Sequence, residues 1–190
     1  MGEMGDKMPE DGALLRPVVL VGMMGCGKTA VGTALAARLA VPFRDTDQEI
    51  VTASRMSIAE IFERDGEPFF RARESEVLRR LLDLGPGVLS TGGGAFLRDA
   101  NRAAIERRGV SVWLRADEAL LWSRVRHRTT RPLLQNEDPR GTLRRLLKER
   151  EPHYAKASLV VDADAAFAIP DMVDRVVATL DAANLIKEPS

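Results

Sequence analysis

The chain has 190 residues, enough for one domain with a well-filled core, and 45% of them are hydrophobic against 29% charged. Lys plus Arg and Asp plus Glu both number 28, so no overall field recruits nucleic acid or an anionic membrane. The single cysteine, Cys26, rules out an intrachain disulfide and suits a reducing cytoplasm.

Residues 1–16 mix both charges without an apolar run of signal-peptide length and read as a disordered tail. No stretch approaches the roughly 18 apolar residues of a membrane-crossing helix, so a soluble cytoplasmic protein is expected. From Pro17 the pattern alternates. Val18-Val19-Leu20-Val21 is a continuous apolar run, as a strand buried on both faces would be. A glycine-punctuated loop follows, then a helical stretch from Lys28 to Ala40. Pro42-Phe43-Arg44 reads as a second strand. Residues 46–83 carry helical periods broken at Gly66, with Ser57 and Glu60 spaced as a capping box. Val88-Leu89-Ser90 is a third strand, ended by three glycines. A helix over 99–107 leads to a fourth strand, Val110 to Leu114, and Asp117 opens another helix. Thr142 to Arg150 is helical, Leu159-Val160-Val161 a fifth strand, and 170–185 a closing helix. This alternation predicts an α/β fold, a single-domain parallel sheet flanked by helices, over residues 17–186.

Gly22-Met23-Met24-Gly25-Cys26-Gly27-Lys28-Thr29 satisfies the G-x-x-x-x-G-K-[ST] pattern between a strand and a helix. Backbone N–H groups must converge on phosphate there, which leaves no room for side chains at the glycines. The helix that follows directs its free amides at the anion. Lys28 supplies charge to the β- and γ-phosphates, and the Thr29 hydroxyl can ligate Mg²⁺. The nucleotide set is Gly25, Cys26, Gly27, Lys28, Thr29 and Ala30. Cys26 itself is read as a loop residue dispensable to chemistry, with a redox thiol as the alternative.

Asp45 and Asp47 lie two apart at the end of the second strand and so share a side. Beside a phosphate loop this suits one for the magnesium shell and one for an acceptor hydroxyl. Capping of the next helix is the plainer reading. Arg71 and Glu74 stand three apart on a helix, where a surface ion pair is the ordinary expectation. Thr91-Gly92-Gly93-Gly94 ends a strand where backbone can approach a ligand closely. Residues 124–131 are rich in arginine; a solvated turn or a nucleic-acid patch competes with a phosphate role, and the absence of interleaved aromatics counts against nucleic acid.

Together, GMMGCGKT, FRDTD, GEPFFRARE, STGGGA, RPLL at Arg131 to Leu134 and REPHY at Arg150 to Tyr154 resemble the shikimate kinase family, a branch of the nucleoside-monophosphate-kinase-like P-loop fold. The pieces occur in family order from residue 17 to about 180. The resemblance implies MgATP as phosphate donor and shikimate as acceptor. Lys28, Thr29, Arg126 and Arg131 would hold the nucleotide, with Thr29 and Asp45 at the metal. Asp47, Lys28 and Arg131 would be catalytic, Asp47 as base or orienter of the acceptor hydroxyl. Arg71 and Arg150 would clamp the shikimate carboxylate, with Gly92, Gly93 and Gly94 against the ring hydroxyls. A mobile lid over about 124–136, an adenine-side loop over 162–170, a monomer, and neither a nucleic-acid nor a membrane partner are expected. Ala30 stands where the family usually carries a second hydroxyl residue. A gluconate-kinase-like enzyme and a non-catalytic nucleotide-binding module are the rival readings.

Overall fold

The computed structural model describes residues 13–127 and 134–187. Five strands form one sheet: β1 (Val18–Val21), β2 (Phe43–Asp45), β3 (Val88–Ser90), β4 (Val110–Arg115) and β5 (Leu159–Asp162). Their order is β2-β3-β1-β4-β5, and every pairing is parallel. The apolar run of β1 is buried throughout, and only Arg115 of β4 reaches solvent. That agrees with an interior position between two helical layers.

Between the strands run α1 (Lys28–Arg38), α2 (Thr46–Ser54), α3 (Ile58–Asp83), α4 (Asp99–Arg108), α5 (Glu118–Val125) and α6 (Pro139–Tyr154); α7 (Ile169–Ala182) closes the chain. The chain leaves β1 toward the β2 edge and then works back across the sheet. Right-handed crossovers put helices traversed in opposite directions on opposite faces. Accordingly α1 packs with α7 on one face, and α3 packs with α4, and α5 with α6, on the other. The neighbours β1 and β3 therefore send their chains to opposite sides. Open parallel sheets bind ligands at the carboxyl ends of such a strand pair.

Local chemistry sets the element ends. Ser57 and Glu60 form the expected capping box, with Glu60 Oε2 accepting from Ser57 N at 2.7 Å and Ser57 Oγ from Glu60 N at 3.2 Å. Helix α6 begins before the expected Thr142, because the Asp138 carboxylate caps Gly141 N at 2.9 Å and Pro139 suits a first helical turn. Helix α3 is two helices joined at Gly66, whose φ of 81° and ψ of 169° suit glycine almost alone. The second of them aims Arg71 and Glu74 at the sheet end.

The tail assignment is corrected in part. Leu14 is fully buried and bridges Ile186, while Ala13 and Leu15 donate to the Leu39 and Leu185 carbonyls at 3.0 and 3.1 Å. An apolar Leu14 beside the C-terminal segment docks these residues, which charge counting over 1–16 obscured. Residues 1–12 lie outside the described residues, as does the centre of the expected lid, 128–133 with Arg131. Residues 124 and 125 belong to α5.

Gly66→Ala should lower stability by about 1–3 kcal/mol, the cost of holding a side chain in that backbone region. A urea titration would show it as an earlier midpoint with unchanged slope. An unchanged midpoint would mean that the join is not constrained.

Candidate active site

Three loops meet at the carboxyl ends of β1, β3 and β2. The loop after β1 wraps Lys28, whose Nζ donates to the Gly22 and Met23 carbonyls at 2.7 and 3.0 Å and lies 3.7 Å from Cys26 Sγ. The ammonium is thus held over the loop, and its weak thiol contact is the one a phosphate oxygen would most readily replace. A Cβ at Gly22 would lie 2.9 Å from both Cys26 Sγ and the Leu114 carbonyl, so the loop closes only without a side chain there. Cys26 is 1% exposed, which makes it a packing residue of the loop. Thr29 and Ala30, in the first turn of α1, face the same cleft.

Asp45 caps the next helix and also touches Thr29. Its Oδ1 caps α2, accepting from Asp47 N at 3.0 Å and Gln48 N at 3.2 Å, while Oδ2 accepts from Thr29 Oγ1 at 3.3 Å. A hydroxyl and a carboxylate in contact beside a phosphate loop are hard oxygen donors suited to Mg²⁺, which keeps most of its shell for phosphate and water. Among the described residues no cluster of three His, Cys, Asp or Glu is present.

The loop cleft, about 910 Å³, runs from Lys28 and Thr29 past Ala34 and Ala37 to Phe167, Ile169 and Met172. A second cavity of about 620 Å³ lies beside it, lined by Ile58, Phe62, Phe70, Arg71, Glu74, Gly94 and Arg150. Met24, Asp47, Gly92 and Gly93 line both. Asp47 therefore stands in the shared wall, where groups bound in the two cavities would meet.

The Arg71–Glu74 pair is no surface pair. Glu74 is 0% exposed and accepts from Arg71 Nη1 at 2.8 Å, while Arg98 Nη1 braces the same helix through the Arg71 carbonyl at 2.9 Å. Burial pushes the Glu74 carboxyl above its ordinary value, the Arg71 guanidinium pulls against that rise, and the Asp47 carboxylate adds to it. Burial likewise works against the Arg71 charge, but Glu74 and Glu67 outweigh it and hold the guanidinium protonated. A Cβ on Gly94 would fall inside that guanidinium, and one on Gly93 would lie 3.0 Å from Arg150 Nη1. The glycine loop is what allows both arginines to reach the pocket.

Sequence reasoning missed three residues here. Glu74 follows Phe70 and precedes Leu78 on the buried stripe of α3, so its helical phase already placed it inward. Arg124, rather than the exposed Arg126, reaches the phosphate loop, donating to the Gly25 and Cys26 carbonyls at 3.2 and 3.3 Å. Its place one turn after the buried Leu121 was the available signal. Tyr154 is fully buried and donates to the Gly93 carbonyl at 2.6 Å. As the chain's one tyrosine, within REPHY, it carried no positional clue.

The family model for shikimate kinase matches residues 24–181. The chain belongs to the shikimate kinase family. A shikimate kinase of Ruegeria pomeroyi is 62% identical over 168 residues, covering 88% of this chain and 86% of that one. Shikimate kinase from Acinetobacter baumannii, solved in complex with shikimate, superposes with a TM-score of 0.84 at 39% identity, over 91% of this chain and 96% of that one. A gluconokinase from Sinorhizobium meliloti reaches a TM-score of 0.58 at 22% identity, over 90% and 94% of the two chains, which is a likeness of fold alone. The activity is accordingly that of an ATP-dependent kinase. No helix among the described residues is long and apolar enough to cross a membrane.

Burial pushes the Tyr154 hydroxyl up to about 12 from its ordinary 10.0. An acid whose value is raised in the fold stabilises it below the unfolded value and loses that contribution as pH rises toward the folded one. The stability difference between the native protein and Tyr154→Phe should therefore shrink between pH 10 and about 12. Denaturation curves of both proteins at matched pH would check this, and a constant difference would contradict it.

Proposed function

We propose that the chain transfers the γ-phosphoryl group of MgATP directly to the 3-hydroxyl of shikimate. The observation that carries the reading is the shared wall: Asp47 lines both the phosphate cleft and a second cavity that holds Arg71 and Arg150. A small acceptor with one carboxylate, a planar anion matched by guanidinium forks, and hydroxyls aimed at Asp47 fits that cavity. A gluconate-type acceptor also carries carboxylate and hydroxyls. The compact wall of Ile58, Phe62 and Phe70 favours a ring over a flexible polyol chain.

Phosphoryl transfer asks the protein mainly for position and charge. Gly25, Cys26 and Gly27 would cradle the phosphates, with Lys28 at the β- and γ-oxygens and Arg124 steadying the loop through its carbonyls from within the cleft. Thr29 and Asp45 would hold the magnesium ion, which supplies charge neutralisation to the phosphates when bound. Asp47 would orient the acceptor hydroxyl and accept its proton as the new P–O bond forms. Arg71 and Arg150 would hold the carboxylate. Arg131, outside the described residues, is assigned to the γ-phosphate through its RPLL match, and residues 124–136 to a lid, within a kinase domain spanning about 17–186. A cytoplasmic monomer completes the reading. Among the described residues, the exposed large apolar side chains Leu15, Phe69, Leu84, Val160 and Ile169 are scattered along the sequence.

Measuring ADP release with shikimate, quinate, gluconate, the methyl ester of shikimate and water tests the proposal. Shikimate alone should support fast turnover; equal turnover with the ester or with gluconate would sink it. Lys28→Ala should nearly abolish turnover in a folded protein, and near-normal kcat would refute the phosphate role.

The clean arginine test is Arg150→Ala. Arg71→Ala also strands the buried Glu74, and breaking such a pair costs about 3–5 kcal/mol of stability on its own. Arg150→Ala should weaken acceptor binding by roughly tenfold or more and leave ATP binding unchanged, since a hydrogen bond to a charged group is worth about 1.5–3 kcal/mol. Isothermal titration with each ligand separates the two, and unaltered shikimate affinity would remove Arg150 from the clamp.

A further inference from the structure

The loop after β3 is a tight turn with glycine at both central positions, and one buried hydroxyl touches the peptide between them. Ala95 N donates to the Gly92 carbonyl at 3.2 Å, which closes a four-residue turn with Gly93 and Gly94 at its centre. Gly94 has φ −91° and ψ −16°, and Gly93 is not among the glycines of positive φ. This is a type I turn. Type II differs by a flip of the central Gly93–Gly94 peptide and requires positive φ at the second central residue. A glycine there adopts either sign of φ at little cost. Local sterics therefore leave the choice open, and contacts to the peptide make it.

The contact is Tyr154. Its hydroxyl donates to the Gly93 carbonyl at 2.6 Å and lies 3.9 Å from Met23 Sδ in the phosphate loop. Its ring sits 6.1 Å from that of Trp113, in the core. A trans peptide points its carbonyl and its N–H in opposite directions. With the Gly93 carbonyl turned to Tyr154, the Gly94 N–H points away from that hydroxyl, and Gly94, against which the Arg71 guanidinium packs, lines the acceptor cavity.

We propose that Tyr154 is a positioning residue, whose hydroxyl locks the Gly93–Gly94 peptide so that the Gly94 N–H, and not the Gly93 carbonyl, faces the acceptor carboxylate beside Arg71. This rests on the shikimate reading above. A flipped peptide would present a carbonyl oxygen to an anion, replacing attraction by repulsion. The same helix carries Arg150 one turn earlier, so α6 delivers the guanidinium and fixes the peptide together. Because burial keeps the hydroxyl protonated up to about pH 12, the lock holds at every physiological pH.

Tyr154→Phe keeps the ring and removes the lock. Three readouts are compared with the native protein: the Gly94 amide resonance of the unliganded protein, KM for ATP, and KM for shikimate against an analogue whose carboxylate is replaced by hydrogen. In the variant the Gly94 amide should broaden by exchange or split in two. KM for shikimate should rise by about tenfold or more, the worth of one hydrogen bond to a charged group. KM for ATP and for the carboxylate-free analogue should stay within about twofold of native, the scatter expected when no such bond is lost. A single unshifted Gly94 resonance would overturn the proposal, and so would an equal rise in KM for both acceptors, which marks general loosening of the pocket. If the native enzyme did not phosphorylate shikimate, the substrate reading would fall alone, because the amide resonance reports on the lock without any acceptor.

Discussion

The proposed transfer requires two anions that repel each other to meet beside the Asp47 carboxyl, and the placement of positive groups around the two cavities fits that electrostatic demand. Positive groups are divided between the cavities on either side: Lys28 and Arg124 at the phosphate loop, Arg71 and Arg150 at the acceptor cavity. Lys28 and Arg124 are held by backbone carbonyls and Arg71 by the Glu74 carboxylate, while Arg150 packs close to Gly93. The topology makes the division possible. Because β1 and β3 are neighbours whose chains depart to opposite faces, their two glycine loops open side by side with a helix start behind one of them and a turn behind the other.

Buried charge is the cost of this arrangement. Glu74 sits without solvent exposure beside Asp47, and burial and that neighbour both oppose its ionisation. Arg71 compensates, and Arg98 steadies the helix that carries both. Replacing such a pair with apolar residues is often neutral or stabilising elsewhere, so its presence points to function rather than stability. A guanidinium fixed by Glu74 on one side keeps a defined orientation in the acceptor cavity, as the proposed carboxylate clamp would need.

Most of the fold was legible in the sequence because its signals were local and redundant. A β-branched run before GMMGCGKT, a capping box at Ser57, and glycines at strand ends each specify one element, and together they leave little freedom. The phosphate loop was legible for the same reason, since its chemistry is contiguous. The acceptor side was harder. Glu74 looked like a surface partner of Arg71 because three-residue spacing is the same whichever way a helix faces; its phase relative to Phe70 and Leu78 carried the missing information. Arg124 was hidden within a basic run whose members differ only in the direction that α5 gives them. Tyr154 was beyond reach, because its partner, the Gly93 carbonyl, lies 61 residues away and no side-chain pattern marks a backbone oxygen. Leu14 was misjudged through averaging, one apolar residue among many charged ones.

The central claim is a single transfer across the wall that the two cavities share, with Asp47 as orienter and no covalent intermediate on the protein. Stereochemistry at phosphorus tests it most directly. ATP made chiral at its γ-phosphorus by oxygen isotopes would be turned over with shikimate, and the configuration of the product ester determined. One in-line displacement inverts the configuration, and inversion is the predicted result. Retention would require an even number of displacements, hence a phosphorylated group on the protein, and would contradict the account.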